Sequence, residues 1–267
     1  MAGQGIIIGA GDLGLRVAGL RAGLGDAVWA LRRRNLPVPE GIQALAGDLH
    51  SPADLALLPA NADWMVFCAT PDSRNARAYQ RLYVDGFRQA RDLLKPKRCL
   101  FVSSTAVYAQ NHGEWVNESS DAAADTFNGR ALREAERICL QEPSGRVLRL
   151  SGITGPGRNM LINKALLGLE CANVWSNRIH IADAAAAVSH VLELTARQPL
   201  WIANDDTPAL QCEVVNWIRQ CHNLPPLPAP EGLAQGRRVS NAQLKASGWQ
   251  PRFASYRESY ALSAPEN

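Results

Sequence analysis

The segment GIIIGAGDLG, at residues 5–14, decides the fold of this chain. It opens with a short run of β-branched apolar residues, which is typical of a buried parallel strand. Its glycines follow the pattern GxGxxG, and apolar residues at helical spacing continue to about residue 24. The glycines therefore lie between a predicted strand and a predicted helix, which is the context that a dinucleotide-binding loop requires.

Each glycine of this motif has a distinct task in such a loop. The first permits the turn, the second lets the backbone approach a pyrophosphate, and the third lets the helix pack against the strand. The positive end of the helix dipole then stabilises the phosphate charge. We therefore predict that Gly9, Gly11, Asp12, Leu13 and Gly14 bind the cofactor. The alternative is that the glycines form an ordinary tight turn.

The end of the second predicted strand, at residues 27–31, discriminates between cofactors. An NAD site usually has an acidic residue ~20 positions after the first glycine, where it binds the ribose hydroxyls. Here the chain has Arg32, Arg33 and Arg34 and no carboxylate. Because arginine pairs bidentately with phosphate, we predict that Arg32 and Arg33 bind the 2′-phosphate of NADP. NAD remains the alternative cofactor, and a solvated arginine loop is the alternative structure.

Asp48 follows the third predicted strand and is a further candidate cofactor residue. Its carboxylate is placed to accept a hydrogen bond from the adenine amino group. A plain turn residue is the alternative, because aspartate is common in turns.

The rest of the chain alternates strand and helix patterns, which indicates βαβ units and a parallel sheet. We predict an α/β fold, a doubly wound parallel (Rossmann) sheet with a small C-terminal substrate-side subdomain. The nucleotide-binding domain is expected at 1–150 plus about 181–203. The smaller part is expected at about 151–180 and 204–267. Ligands should bind outside the carboxyl ends of the strands.

Composition excludes several classes of protein. The chain has 267 residues, 46% of them hydrophobic, and a formal net charge of +3. That charge is too small for a dedicated nucleic-acid binder. No stretch approaches the ~18 apolar residues of a membrane span, and the N-terminus resembles no secretory signal. We expect a cytoplasmic protein that acts on a small molecule, with no nucleic-acid or membrane partner.

The six cysteines, at positions 68, 99, 139, 171, 212 and 221, are scattered without CxxC spacing. In a chain of this length the pattern predicts reduced thiols, with neither a disulfide framework nor a metal site. The proline-rich segment at residues 224–230 predicts a rigid surface connector, with an SH3-type ligand as the alternative.

Four further stretches resemble one protein family, in the order in which that family has them. They are residues 101–108 (FVSSTAVY), 129–136 (GRALREAE), 149–158 (RLSGITGPGR) and 177–183 (NRIHIAD). With the glycine motif, they resemble an atypical or extended short-chain dehydrogenase/reductase of the NAD-dependent epimerase/dehydratase family. The stretches at 237–241 and 255–258 are similar to its YeeZ-like subgroup.

The resemblance implies roles for individual residues. Ser104 matches the catalytic serine or threonine, which hydrogen-bonds a substrate oxygen, and Ala69, Thr70 and Ser103 would line the cofactor. The family's central element is YxxxK, in which tyrosine is the acid/base and lysine lowers its pKa. Matching residues 129–136 to that helix places Asn128 at the tyrosine position and Leu132 at the lysine position.

No shift of register restores YxxxK. The chain has four lysines and none between Lys97 and Lys164, while Tyr108 is the only tyrosine between Tyr83 and Tyr256. Asparagine cannot exchange a proton and leucine cannot lower a neighbouring pKa. The standard mechanism of the family is therefore missing.

Two residues are candidate replacements for the missing acid/base. Tyr108 is the first, if a cation such as Arg130 stands close, with a pocket-lining role as the alternative. His180 is the second, with a structural role as the alternative. Glu114 and Glu118 are expected on a loop over the site, as solvated surface residues.

Two hypotheses of function follow from these residues. The first is an NADP-dependent oxidoreductase or epimerase/dehydratase-like enzyme, which acts on a small carbonyl or sugar-like substrate. The second is a non-catalytic NAD(P)-binding redox sensor or scaffold. The resemblance is also compatible with a homodimer, formed through the predicted helices at 75–94 and 130–141.

Overall fold

The structure is a computed structural model and describes residues 3–34, 37–195 and 198–261. A seven-stranded sheet forms its largest element, with the strand order β3-β2-β1-β4-β5-β7-β11. These strands are β1 (Gln4–Ile8), β2 (Ala27–Arg32), β3 (Ile42–Ala46), β4 (Trp64–Phe67), β5 (Cys99–Ser104), β7 (Gly145–Leu150) and β11 (Leu200–Ala203).

Shorter strands form two further sheets. The strands are β6 (His112–Val116), β8 (Gly152–Thr154), β9 (Val174–Ser176), β10 (Arg178–His180), β12 (Ala209–Leu210) and β13 (Gln235–Val239). One sheet has the order β12-β9-β13-β6, and the other pairs β10 with β8.

Helices connect the strands. They are α1 (Asp12–Gly23), α2 (Pro52–Leu55), α3 (Ala76–Tyr79), a π-helical segment (Gln80–Gly86), α4 (Phe87–Leu94), α5 (Phe127–Leu140), α6 (Met160–Leu166), α7 (Ile181–Glu193), α8 (Gln211–Cys221), α9 (Ala242–Ala246) and α10 (Tyr256–Ala261). A short 3-10 turn, Thr105–Val107, follows β5.

The central strands explain why the large sheet is parallel. Every residue of β4 is buried, and β1 is buried from its second residue onward. Strands that are covered on both faces read as continuous apolar runs and occur in parallel sheets. The β1 strand pairs in parallel with β2 on one side and with β4 on the other. The predicted doubly wound α/β fold is confirmed.

Contacts divide the chain into two compact units. The first comprises Met1–Val107, Ala122–Arg149 and Ala185–Trp201, and includes most of the large sheet. The second comprises Tyr108–Asp121, Leu150–Ala184 and Ile202–Asn267. The segment 108–121, which the sequence prediction includes in 1–150, thus has most of its contacts within the second unit.

The second unit has its own apolar core. Helices α6, α8 and α10 contribute to a cluster of buried side chains: Ile162, Ala165, Cys171, Ala209, Cys212, Val214, Val215, Ile218, Tyr256 and Tyr260. Burial of apolar side chains stabilises this unit at roughly 25 cal/mol per Å² removed from water.

Two of these core residues correct the sequence prediction about cysteines. Cys171 and Cys212 form a disulfide, so the expectation of six reduced thiols is wrong for this pair. Their separation of 41 residues gives no motif that a search for CxxC spacing would find. Cys68, Cys99, Cys139 and Cys221 are free thiols.

The proline-rich segment at 224–230 is bound to its own unit. Asn216 of α8 donates to the Leu227 carbonyl at 3.1 Å and accepts from the Leu227 N–H at 2.8 Å. Arg219 donates to the Pro225 carbonyl at 2.7 Å. Because α8 holds this backbone, the segment is a connector that packs on the unit, and the SH3-ligand alternative loses its support.

Across the described ranges, no helix is both long enough and apolar enough to cross a lipid bilayer.

A buried carboxylate lies within the second unit. Asp205 is fully buried, and its Oδ1 accepts a hydrogen bond from the Thr207 N–H at 3.2 Å. Its Oδ2 lies 3.7 Å from Nη1 of Arg178 and has no hydrogen bond among the described residues. Burial disfavours the charged carboxylate and raises the pKa of Asp205 to about 7, although Arg178 acts in the opposite direction.

This raised pKa predicts a pH-dependent stability. Between about pH 4 and pH 7 the folded state holds the Asp205 proton more tightly than the unfolded state does, so the free energy of unfolding should fall as pH rises through this range. Asp205→Asn should remove that contribution, as measured by urea unfolding at several pH values. Asp121→Asn, which makes the same change at an exposed position of the second unit, is the control. Identical slopes for wild type and Asp205→Asn would contradict the prediction.

Candidate functional site

The loop between β1 and α1 is built around two glycines that have no room for a side chain. A Cβ on Gly9 would lie 2.3 Å from the Cα of Ala69, and Gly9 has a φ of +93°. A Cβ on Gly14 would lie 2.6 Å from the Gly9 carbonyl oxygen. These close approaches press the start of α1 against the ends of β1 and β4.

Gly11 differs from both of these glycines. A Cβ built on it meets no heavy atom of the described residues within 4 Å, and its φ of −82° suits any amino acid. It is the N-cap of α1 and has no side chain to cap the first turn. The space above Gly11 and the free amide end of α1 therefore match the predicted place of a pyrophosphate.

Asp12 and Leu13 form the first turn of α1. The Asp12 carboxylate accepts from Nε of Arg16 at 2.7 Å, one helical turn later. Leu13 is half-buried. Their contribution to a bound pyrophosphate would come from backbone N–H groups, because the first N–H groups of a helix have no partner within the helix.

The three arginines after β2 have different surroundings. Arg32 is half-buried, and its Nε is buried with no hydrogen bond among the described residues. Its Nη1 lies 3.5 Å from the Ala10 carbonyl, within the glycine loop. Arg33 forms an ion pair with Asp72, and this hydrogen bond raises the pKa of Arg33. Arg34 is exposed. Of the three arginines, Arg32 thus lies beside the glycine loop, and its Nε–H has no acceptor among the described residues.

The other predicted cofactor residues of the first unit lie after β3 and β4. Oδ1 of Asp48 accepts from the His50 N–H at 2.9 Å, which is the bond of a turn. Asp48 is exposed, so its second carboxylate oxygen faces solvent. Ala69 forms the wall against Gly9, and Thr70 is exposed beside it.

Two serines end β5. The Ser103 hydroxyl is buried and donates to Oε1 of Glu136 at 2.5 Å. Ser104 is only half-buried, and its Oγ accepts from the Ala106 N–H at 3.2 Å. Ser104 therefore has the hydroxyl that can still donate to a substrate oxygen, whereas the Ser103 side chain is committed to α5.

The first turns of α5 contain the positions that the resemblance assigns to tyrosine and lysine. Thr126 caps this helix by accepting from the Gly129 N–H at 3.3 Å, so α5 begins at Phe127 and not at Arg130. Asn128 is half-buried in the first turn, and Leu132 is buried in the second. Leu132 packs as a core residue.

The alternative acid/base candidates have established partners within the second unit. The Tyr108 hydroxyl donates to the Asn117 carbonyl at 2.6 Å, and the side chain is 1% exposed. Its expected cation, Arg130, belongs to the first unit and binds Asp125 at 3.2 Å. The His180 ring stacks on Phe253 with centroids 3.7 Å apart.

The two glutamates that were expected to be solvated each bind backbone. Oε1 of Glu118 accepts from the Ile202 N–H at 3.0 Å, and Oε2 of Glu114 accepts from the His112 N–H at 2.8 Å. The Glu118 bond joins distant parts of the second unit, so a purely solvated role is wrong for Glu118. The Glu114 bond is local and exposed, which is consistent with a solvated surface residue.

One arrangement in the first unit was missed by the sequence analysis. Glu136 of α5 binds Arg149 of β7 through two hydrogen bonds, and it also accepts from Ser103. The stretches 129–136 and 149–158 contain both residues, but nothing in either stretch shows that they pair. A helix and a strand bring them together only in the folded chain.

The comparison with solved structures indicates the family. No protein-family model matches the chain, and no curated protein matches its sequence. A Methylobacillus flagellatus protein assigned to the NAD-dependent epimerase/dehydratases is 32% identical, with a TM-score of 0.86 over 98% of this chain and 97% of that one.

Two more distant structures share the fold. The enzyme WbmG of Bordetella bronchiseptica, in complex with NAD, is 16% identical, with a TM-score of 0.79 over 98% of this chain and 94% of that one. A short-chain dehydrogenase/reductase superfamily protein of Agrobacterium tumefaciens, with bound NAD, is 17% identical, with a TM-score of 0.79 over 98% and 96%.

The 32% identity extends over nearly the whole of both chains and so includes the glycine loop and the doubly wound sheet. The chain belongs to the NAD-dependent epimerase/dehydratase family.

Proposed function

We propose that this chain binds NADP(H) at the β1–α1 loop and is an oxidoreductase or epimerase/dehydratase-like enzyme for a small carbonyl or sugar-like substrate. The observation that carries the proposal is the contrast between Gly11 and its neighbours. Gly9 and Gly14 are glycines because nothing larger fits. Gly11 has room and an ordinary φ, so the fold alone does not require glycine there. A ligand that approaches the Gly11 backbone would require glycine at this position.

Arg32 supports NADP over NAD. It is the last residue of β2, where an NAD site has its acidic residue, and its buried Nε lacks a partner among the described residues. A 2′-phosphate would supply an acceptor for that donor and pair with the guanidinium. Arg33 would assist only if it released Asp72. Asp48, Ala69 and Thr70 complete the proposed cofactor site.

The chemistry divides between the cofactor and the chain. A bound nicotinamide supplies or accepts a hydride. Ser104 would donate a hydrogen bond to the substrate oxygen. Asn128 and Leu132 cannot move a proton in the manner of YxxxK. Tyr108 remains a proposed acid/base, and it would first have to release the Asn117 carbonyl.

A second candidate function is non-catalytic binding of NAD(P), as a redox sensor or scaffold. The observation that favours it is the burial of Leu132, which packs at the lysine position as an apolar core residue. The cofactor loop and Ser104 fit both functions, so turnover decides between them.

Three finer assignments belong to the same proposal. The stretches at 237–241 and 255–258 support placement in the YeeZ-like subgroup. We place the protein in the cytoplasm, with a small molecule as its partner. A homodimer through the helices at 75–94 and 130–141 is proposed, and sedimentation at micromolar concentration tests it.

Gly11→Ala tests the cofactor site. The new methyl group enters open space, so folding should be unchanged, but it would occupy the path of the pyrophosphate. NADPH affinity, measured by calorimetry, should fall by about tenfold or more, which corresponds to about 1.4 kcal/mol.

Gly19→Ala is the matched control for that experiment. Gly19 lies within α1, and its added Cβ also meets nothing within 4 Å among the described residues. This variant should bind NADPH as the wild type does and unfold at a slightly higher temperature, because alanine favours helix by about 1 kcal/mol. Wild-type affinity in Gly11→Ala would overturn the proposed site.

Arg32→Ala tests the choice of cofactor. The wild type should bind NADPH more tightly than NADH, and the variant should lose about tenfold in NADPH affinity, because a hydrogen bond to a charged group contributes roughly 1.5–3 kcal/mol. NADH affinity should change little. Arg34→Ala, at an exposed neighbour, should leave both affinities unchanged. Equal affinity of the wild type for both cofactors would refute the 2′-phosphate assignment.

Ser104→Ala separates the enzyme from the binder. NADPH oxidation at 340 nm with a panel of small aldehydes, ketones and sugars should reveal turnover by the wild type. The variant should lose roughly 100-fold in rate, the effect of removing one hydrogen-bond donor to a reacting oxygen, and keep its NADPH affinity. Binding of NADPH without oxidation by any substrate of the panel would favour the non-catalytic function.

A further inference from the structure

A buried network links the end of β5 to α5 and β7 within the first unit. Ser103 donates to Oε1 of Glu136 at 2.5 Å. Arg149 donates from Nε to Oε1 at 3.0 Å and from Nη2 to Oε2 at 2.6 Å. The guanidinium thus binds the carboxylate with two donors, which fixes the plane of both groups. Through its hydrogen bond to the same carboxylate, the Ser103 hydroxyl connects β5 to this ion pair.

All three residues are withdrawn from water, each with about 4% of its surface exposed. A buried ion pair is weak evidence for stability, because the desolvation of two charges offsets most of their attraction. Apolar residues of similar volume often stabilise such a position equally well or better. The network therefore calls for an explanation other than stability, and its geometry suggests one.

The network holds a specific place on the sheet. Ser103 is the penultimate residue of β5, and Ser104 follows it at the carboxyl end of the strand. In a doubly wound sheet, β1–β3 receive one half of a dinucleotide and the strands on the other side of the switch point receive the second half. In the proposed site, β1–β3 and the arginines bind the adenosine half of the dinucleotide. The strand β5 lies on the other side of β1 in the sheet, where the nicotinamide half would bind.

We propose that Glu136 and Arg149 are positioning residues for the nicotinamide half of the cofactor site, and that they act through Ser103. They hold the end of β5, and with it Ser104, at a fixed place and orientation. This inference rests on the proposed function, since it requires that the loop at Gly11 binds a dinucleotide. The buried pair of Glu136 and Arg149 would thus contribute to cofactor binding without contacting the cofactor or the substrate.

The test compares two ligands that differ only by the nicotinamide ring. NADPH includes it, and 2′-phospho-ADP-ribose lacks the nicotinamide ring. Ser103→Ala removes the bond between β5 and Glu136. It should weaken NADPH binding by about tenfold and leave the affinity for 2′-phospho-ADP-ribose within twofold of the wild type. The fluorescence of bound NADPH, which reports the surroundings of its ring, should also change.

Two variants separate positioning from a general loss of structure. Ser103→Thr keeps the hydroxyl and should restore NADPH affinity and fluorescence. Ser259→Ala removes the hydroxyl of another buried serine, whose Oγ has no hydrogen bond among the described residues, and should change neither ligand's affinity. A loss of affinity for both ligands in Ser103→Ala would overturn the proposal, because it would show a structural role only.

The double variant Glu136→Leu with Arg149→Met tests the charge pair itself. It removes both charges together, so no buried charge remains unpaired. We expect a folded protein that binds 2′-phospho-ADP-ribose normally and NADPH as weakly as Ser103→Ala does. Wild-type NADPH affinity in this variant would refute the positioning role. Failure of the wild type to bind either ligand would instead refute the proposed function, so the two failures are distinguishable.

Discussion

The contact on which the site depends is the approach of the Gly9 backbone to Ala69. No side chain fits between these two residues. At Gly14 the Gly9 carbonyl oxygen likewise leaves no room for a Cβ. These two contacts bring the end of β1, the end of β4 and the start of α1 to one place. Gly11 lies between these two fixed glycines, and a Cβ on it would meet no heavy atom of the described residues within 4 Å. The geometry of the proposed phosphate site is thus a consequence of how two backbones pack.

The sequence predicted the large sheet well, because its signals are local. A β-branched run, a glycine motif and apolar residues at helical spacing lie next to one another in residues 5–24, and each specifies its own structure. The second unit was harder to predict. Its strand β9 has three residues and pairs with β12 and β13, which follow it by more than 30 residues. Such strands are too short for a periodic pattern, and their pairing depends on tertiary contacts.

The same distinction applies to the site. The place of Arg32 at the end of β2 could be predicted by counting from Gly9, because strand, turn and helix lengths in this fold vary little, whereas its role in binding a cofactor stays a prediction. The pairing of Glu136 with Arg149 could not be found in this way, since it requires the packing of α5 against β7. The disulfide between Cys171 and Cys212 has the same origin. The start of α5 was placed three residues late because its cap, Thr126, precedes the resembling stretch.

Along α5, the residue that holds the end of β5 differs from the residues that would transfer a proton in a YxxxK helix. In a YxxxK helix, one cation serves both the acid/base and the cofactor. Here Leu132, at the position that the resemblance assigns to the lysine, packs into the core, and Glu136 lies one turn further along α5 and pairs with Arg149. The end of β5 can therefore remain ordered without a lysine or a tyrosine on the helix. In the proposed function, the absence of a YxxxK pair from α5 would then leave the Gly11 loop and Ser104 in place. In the proposed site, binding of the dinucleotide and transfer of a proton are therefore separate, and a proton donor would have to lie outside α5.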